Sequence, residues 1–377
     1  MDLEKFEKSI KKTGFELEFQ VSELLRKQKW TVINNKYYVD DVQGTVREID
    51  LIAYKTCTIE SVVVYTVLVI SCKKNEQNIW ALLSKNKIVN DPNTDWHPIS
   101  AWSNNRTLEF MLNNHHWKDN YIRLCKENDV YGSLIEPEDH IFAFQEMHKS
   151  NGSPQNDKNI FSSISSLMKA EGYEIASLSK RKKGDCLYNF NLISVVDTEL
   201  VKLHFTSHDV KASRIESDKY IGSYIVNNNN IEARIQFVNI DKLKDIVHNY
   251  DALHEVNVRF CAELISEYYR DAITQTIKRE IYESDFLKSI HWQVYRLLKM
   301  HFKSAVGKED CWLSWDVGEQ RLEINVSLGE GFPPDSEDTI IETLNDDSKL
   351  DSHVRRMLKE WFRYEGDYQF SHDAIPF

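Results

Sequence analysis

The segment from Ser61 to Cys72 constrains this chain more than any other. It strings together Val62, Val63, Val64, Val67, Leu68, Val69 and Ile70, interrupted by Tyr65, Thr66 and Ser71. The run is too short and too rich in β-branched side chains to cross a bilayer as a helix. It suits a strand covered on both faces, because the polar alternation of a half-wet strand is missing. A sheet built on such a strand needs layers on both sides, and the fold expected is α/β.

The neighbouring elements follow from periodicity. Within residues 15–29, Leu17, Val21, Leu24 and Leu25 fall at i, i+4, i+7 and i+8, one stripe of an amphipathic helix. Phe15 and Phe19 are expected to widen that face. Arg26, Lys27 and Lys29 close the helix in a basic turn that suits its negative end. Trp30–Ile33 and Tyr37–Val39 read as strand on either side of an Asn34-Asn35 turn. Arg47–Tyr54 is a second strand, Val62–Ser71 a third, and Ile79–Val89 is expected to be helical. The order is helix, three strands, helix.

Further on, residues 90–105 are turn-rich and a helical stretch runs to about Asn128. His140–Gln145 reads as strand, and the polar loop Lys149–Asn159 sets a soft boundary. A helix over Ile160–Ala170 is followed by expected strands at Tyr173–Ala176, Leu187–Val196, Leu200–Phe205 and Ile231–Val238. Asp241–Tyr250 is a short helix with Asp241 as its N-cap, and Val256–Phe302 holds two helices. Cys311–Val317 and Arg321–Val326 form a hairpin around Gly318, Gly329–Asp347 is an acidic loop, and Leu350–Tyr364 is a last amphipathic helix. This gives an α/β segment at 1–148 with its core at 12–90, an α+β middle segment at 149–255, and a mainly helical, acidic segment at 256–377.

Six scattered cysteines without a CxxC pair, no apolar leader in MDLEKFEKSIKK and no bilayer-length apolar run point to a reduced, cytoplasmic protein without a membrane span. The net charge of −12 argues against nucleic-acid binding by the whole surface. The charge is uneven: residues 1–90 carry about 14 basic and 12 acidic side chains, residues 308–377 about 7 and 17. With 12 glycines and no Walker-type loop, ATP use is not expected.

Three residues fall where phosphodiester chemistry needs them. Glu18 lies in the first helix, Asp50 in the second strand within Arg47-Glu48-Ile49-Asp50, and Lys73 at the end of the third, after Ser71-Cys72. Hydrolysis must bring water to a phosphorus shielded by anionic oxygens. A divalent cation activates that water and stabilises charge on the phosphate. Magnesium takes oxygen ligands and keeps several waters, so one or two carboxylates are enough. A lysine beside the metal orients the water or contacts the phosphate. Asp50 also sits among Ile49, Leu51 and Ile52, where a carboxylate is costly unless paired or metal-bound. Glu18 alone is better read as a solvated helix residue, while Lys73 after a buried strand favours function over a plain edge charge. The order of the three carries the argument.

Glu18, Asp50 and Ser71-Cys72-Lys73, in this order on a helix and two strands, resemble the PD-(D/E)XK pattern of restriction-endonuclease-like nucleases. Within that superfamily the segment looks most like the Mrr and Holliday-junction-resolvase types. The resemblance covers residues 12–90. It implies a mixed sheet flanked by helices and a Mg²⁺- or Mn²⁺-dependent endonuclease acting on DNA, with RNA open. Asp50, Glu18 and the backbone carbonyl of Cys72 would hold metal, and Lys73 would position water or phosphate. It also implies a place in antiviral defence or restriction, as a homo-oligomer or with a partner subunit. One departure is plain: Ser71 stands where the triplet carries an acid. Glu48, Glu76 and Glu18 are the carboxylates available to replace it. The alternative is a catalytically degenerate nucleic-acid-binding or regulatory module.

Other motifs carry less. Lys180-Arg181-Lys182-Lys183 reads as a solvated turn or a phosphate contact. Arg296 and His301 have the R-x4-H spacing of HEPN ribonucleases, a third reading in which RNA is cut without metal. The pairs His115-His116 and His204 with His208 lack a third ligand for metal. Trp96, Trp102 and Trp117 suit packing more than base stacking.

Overall fold

The long apolar strand is present and central in a computed structural model that describes all residues except 1–2, 41–43, 115, 227–228, 308–309, 329–331, 333–335 and 373–377. The chain divides into two units, Met1–Ala262 and Glu263–Phe377. Unit 1 opens with helices α1 (Glu4–Ile10) and α2 (Gly14–Lys27), then strands β1 (Thr31–Val39), β2 (Val46–Ile59), β3 (Val62–Lys74), β4 (Asn78–Lys85) and β5 (Ser100–Ser103). Helices α3 (Arg106–Leu112) and α4 (Trp117–Glu127), β6 (His140–His148), the long α5 (Lys158–Arg181) and β7 (Cys186–Asp197) follow. β8 (Leu200–Phe205), β9 (Val210–Ile215), β10 (Ser217–Val226) and β11 (Asn229–Asn239) complete the strands, and α6 (Leu243–Arg270) spans the division between the units.

The main sheet of unit 1 runs β1-β2-β3-β7-β11-β10, with β5 also paired to β7. β7 joins β3 and β11 in parallel and the other pairs are antiparallel, so the sheet is mixed. β7, from the expected middle segment, thus pairs directly with β3, and residues 1–148 and 149–255 share one sheet. β3 and β7 are buried on both faces over most of their length. A second sheet runs β6-β4-β8-β9.

On one face α2 buries Leu17, Val21 and Leu25, each worth about 1.5–3 kcal/mol. A charge at Val21 would undo the helix's docking. On the other face α5 lays Ile160, Ile164, Leu167 and Met168 into a core with Ile52, Val67, Val69 and Phe190.

Several expectations are corrected. Ile79–Val89 is not helical: residues 78–85 form β4, held between β6 and β8. A short apolar run cannot distinguish helix from buried strand, and here pairing on both edges decides. Tyr173–Ala176 is not strand but the continuation of α5. The strand β1 runs through Asn34-Asn35 without turning. Phe15 and Phe19 do not widen the buried face; they are 62% and 64% exposed. The cap near Asp241 is Asn239, whose side chain accepts from the Asp241 N–H. β9 and β10 were not expected.

Unit 2 carries α7 (Thr276–Phe302), the hairpin β12 (Cys311–Asp316) and β13 (Arg321–Val326), α8 (Glu337–Asp346), α9 (Ser348–Phe362) and β14 (Tyr368–His372). The expected hairpin is present, and β14 adds a parallel third strand to it. Part of the expected acidic loop Gly329–Asp347 is the helix α8, and residues 329–331 and 333–335 of it lie outside the described residues. No helix among the described residues is long and apolar enough to cross a membrane.

Candidate active site at the β2–β3 break

Asp50 stands at a break in two ladders. β1 and β2 pair from Thr31↔Tyr54 to Val39↔Val46 in one register, and the position omitted is Asn35 opposite Asp50. On the other edge the β2–β3 ladder stops at Leu51↔Ile70, one step before Asp50 would meet Ser71. Asn35 takes a left-handed φ of 52°, a conformation asparagine tolerates and most residues avoid. The kink changes which face the side chains take. Before it, Asn34 meets Ser22 and Arg26 of α2. After it, Lys36 reaches Glu174 of α5. On β2, Ile49 and Ile52, three residues apart, both enter the α5-side core.

The gap is filled by the Asp50 side chain, whose Oδ2 accepts from the Cys72 N–H at 2.6 Å. One carboxylate oxygen thus takes a main-chain donor at the place where the ladder has opened. Burial raises the Asp50 pKa. Lys73, the Cys72 N–H and Ser71 hold it down, and Glu48 pushes it up. The Ser71 hydroxyl is buried near this carboxylate but makes no hydrogen bond of good geometry. Burial also drives the Cys72 thiol well above its ordinary value, with Asp50 and Glu18 adding to the effect.

The α2 stripe that docks Leu17 and Val21 brings Glu18 to the same place. Burial raises its pKa to about 7, the charges of Asp50 and Glu48 push the same way, and Lys73 opposes them. Neither Glu18 nor Lys73 has a hydrogen bond or salt bridge among the described residues. Lys74 is anchored instead, donating to the Lys11 carbonyl and pairing with Glu16 at 3.6 Å and Asp197 at 3.3 Å. Glu48 is exposed on β2 and Glu76 is exposed on the bend after β3. Glu76 acts on Lys74, whose pKa it helps to raise, and exerts no comparable effect on Asp50 or Glu18. The structure therefore brings together Glu18, Glu48, Asp50, Ser71, Cys72 and Lys73, and sets Glu76 apart.

The donor set fits a hard cation with few protein ligands. Among the described residues no group of three His, Cys, Asp or Glu side chains is arranged to hold a metal. A half-buried carboxylate whose pKa is raised by burial and by the neighbouring charge of Asp50 is what a magnesium-like ion, keeping most of its waters, would relieve.

The remaining candidates have other occupations. Arg181 binds Glu174, and Lys182 lies over the rings of Tyr65 and Tyr188, so two of the four basic residues at 180–183 are tied into the fold. Trp96 is buried with its indole N–H on the Ile88 carbonyl. Trp102 packs against Tyr188 and Trp117 against Phe260. His204 meets Ser84 and Asp139, His208 is exposed, and His115 lies outside the described residues. Arg296 and His301 share α7 five residues apart, about 140° around its axis. Asn35 is the site residue that sequence reasoning missed. Its signal is the Asn-Asn pair inside an otherwise continuous strand pattern, a pair that more often marks a turn. The chain matches no protein-family model, no curated protein and no solved structure.

Proposed function

We propose that unit 1 is a metal-dependent endonuclease of the restriction-endonuclease-like, PD-(D/E)XK type that hydrolyses phosphodiester bonds in DNA. One observation carries the reading: an aspartate unpaired on both ladders, locked by the N–H of the residue before Lys73 and faced by a second carboxylate. A structural aspartate has no need of a broken sheet. Mg²⁺ or Mn²⁺ held by Asp50 and Glu18, with the Cys72 carbonyl as a further oxygen donor, would supply an activated water and stabilise charge on the phosphate. The Cys72 N–H keeps Asp50 oriented. Lys73, free of any ion pair among the described residues, is available to the scissile phosphate or the attacking water. Glu48 adds negative charge that favours cation capture. An effector in antiviral defence, cytoplasmic and acting as a homo-oligomer or with a partner subunit, is the setting this chemistry suits.

Ser71 favours a second reading, a degenerate module that binds nucleic acid without cutting it. The hydroxyl is buried and carries no charge, so the metal would rest on fewer ligands. The deciding experiment is cleavage of supercoiled plasmid and single-stranded RNA with Mg²⁺, Mn²⁺ or EDTA, using wild type, Asp50→Ala and Lys73→Ala. Metal-dependent cutting lost in both variants supports the nuclease. Binding without cutting under every condition supports the module.

A further inference from the structure

A second site lies where the main sheet forks, away from the Asp50 break. One edge of β7 is shared by two strands. Leu187–Phe190 pairs antiparallel with β5, and Leu192–Val196 pairs parallel with β11. Asn191, between them, has no partner on that edge, and there β5 and β11 part. A cavity of about 500 Å³ opens at the fork, lined by Glu171 and Ile175 of α5, Ser100 of β5, Phe190 and Leu192 of β7 and Arg234 of β11. This volume is that of a small-molecule site.

Two of its charged side chains, Glu171 and Arg234, have few protein partners. Glu171 is 4% exposed and has no hydrogen bond of good geometry or salt bridge among the described residues. Its pKa is raised to about 7 by burial, with Ser100 and Arg234 holding it from rising further. The Arg234 guanidinium has one hydrogen bond among the described residues, a long one of 3.4 Å to the Pro98 carbonyl. The two side chains share the cavity without forming an ion pair. A ligand between them must therefore donate on one side and accept on the other. At the rim, Lys118 is paired with Asp95 at 2.7 Å.

We propose that this cavity binds a mononucleotide with a guanine base, its N–H edge on Glu171 and its acceptor edge on Arg234. Guanine offers two adjacent N–H donors, which a carboxylate takes together. Its O6 and N7 are the pair an arginine takes bidentately. Phe190, Leu192 and Ile175 supply apolar walls for the ring, and a phosphate at the rim would compete with Asp95 for Lys118. Adenine puts an acceptor nitrogen where guanine has a ring N–H, which leaves the Glu171 carboxylate facing a lone pair and costs at least tenfold in affinity.

The test is isothermal titration of the full chain at pH 8 with GMP, AMP and sodium phosphate, using wild type, Glu171→Gln and Arg234→Met. The expected result is saturable GMP binding at least tenfold tighter than AMP, none with phosphate alone, and at least a tenfold loss in each variant. Equal affinity for GMP and AMP, no saturable nucleotide binding, or GMP binding untouched by Glu171→Gln would overturn it. Should Arg234→Met fail to fold, the wild-type GMP-to-AMP ratio and Glu171→Gln decide. Glu171→Gln keeps the buried shape, removes the charge and turns one acceptor oxygen into an N–H donor.

Discussion

Two glutamates on two helices flank the β1–β2 part of the sheet, and the fold treats them oppositely. Glu174 of α5 is nearly buried and bound by Lys36 and by Arg181, each at 2.8 Å. Glu18 of α2 is half-buried and has no cation bonded to it among the described residues; burial raises its pKa most, the charges of Asp50 and Glu48 add to the rise, and Lys73 opposes it. The first is a structural carboxylate whose charge the fold itself balances. The second sits in a cluster the fold leaves negative, which costs stability unless something arrives to balance it. Burial of a carboxylate does not separate the two cases; the partner does.

The largest effect expected from this contrast is on cleavage. Asp50→Ala or Lys73→Ala should lower the metal-dependent rate by about 10²–10⁴-fold, whereas Glu174→Gln, assayed where it is folded, should change it by less than about threefold. If Glu174→Gln proved as damaging as Asp50→Ala in folded protein, the contrast would be broken.

Stability should respond the other way round. Glu174→Ala strands Lys36 beside the core and should cost about 2–4 kcal/mol in urea unfolding. Asp50→Asn removes a buried negative charge that lacks an ion pair and should be neutral or stabilising. A loss above 2 kcal/mol in Asp50→Asn would mark that carboxylate as structural after all.

A smaller effect is a pH dependence that belongs to Glu18. Its folded pKa lies above the ordinary glutamate value, so the folded state holds the proton more tightly than the unfolded chain does. The stability this confers is complete below about pH 4.5 and is lost as pH rises to about 7. The full shift would amount to about 3 kcal/mol, and solvent screening at this half-exposed side chain reduces it to about 1–2 kcal/mol. Glu18→Gln should therefore be more stable than wild type at pH 8 and indistinguishable from it near pH 4. Mg²⁺ should narrow the gap at pH 8 by raising the melting temperature of wild type alone. Melting curves that run parallel at both pH values, with and without Mg²⁺, would remove Glu18 from the cluster.

The two glutamates also show how far the sequence could be read. The stripe of α2 and the apolar run of β3 were legible, and with them the elements that carry Glu18, Asp50 and Lys73, because hydrophobic periodicity reports on burial directly. Glu171 and Glu174 were not singled out, yet they lie in a stripe of their own. Ile160, Ile164, Leu167, Glu171, Glu174 and Leu178 follow at helical spacing and are all buried. Two acids in an apolar stripe signal buried carboxylates, but reading Tyr173–Ala176 as strand cut the pattern before Leu178. β4 was misread because five residues, Ile79–Leu83, fit either period. β9 was missed because it is exposed along its length and is held by backbone pairing to β8, which leaves no hydrophobic pattern to find. The fork in β7 could not be read at all, since it depends on which strands meet.

The smallest effect tests what makes the two regions differ, the kink at Asn35. The left-handed φ there removes one pair from the β1–β2 ladder, and that pair is the one containing Asp50. Glycine accepts this conformation freely, so Asn35→Gly should change stability by less than about 0.5 kcal/mol and keep cleavage near wild type. Valine resists it, at about 1–2 kcal/mol. In Asn35→Val the strand gains by straightening, which would pair residue 35 with Asp50 and draw the carboxylate's backbone into the ladder. Cleavage should then fall well beyond what the loss of stability explains, while the Glu174 ion pairs persist. Equal activity in the glycine and valine variants would mean that Asp50 is held by Cys72 alone and that the kink is incidental to the site.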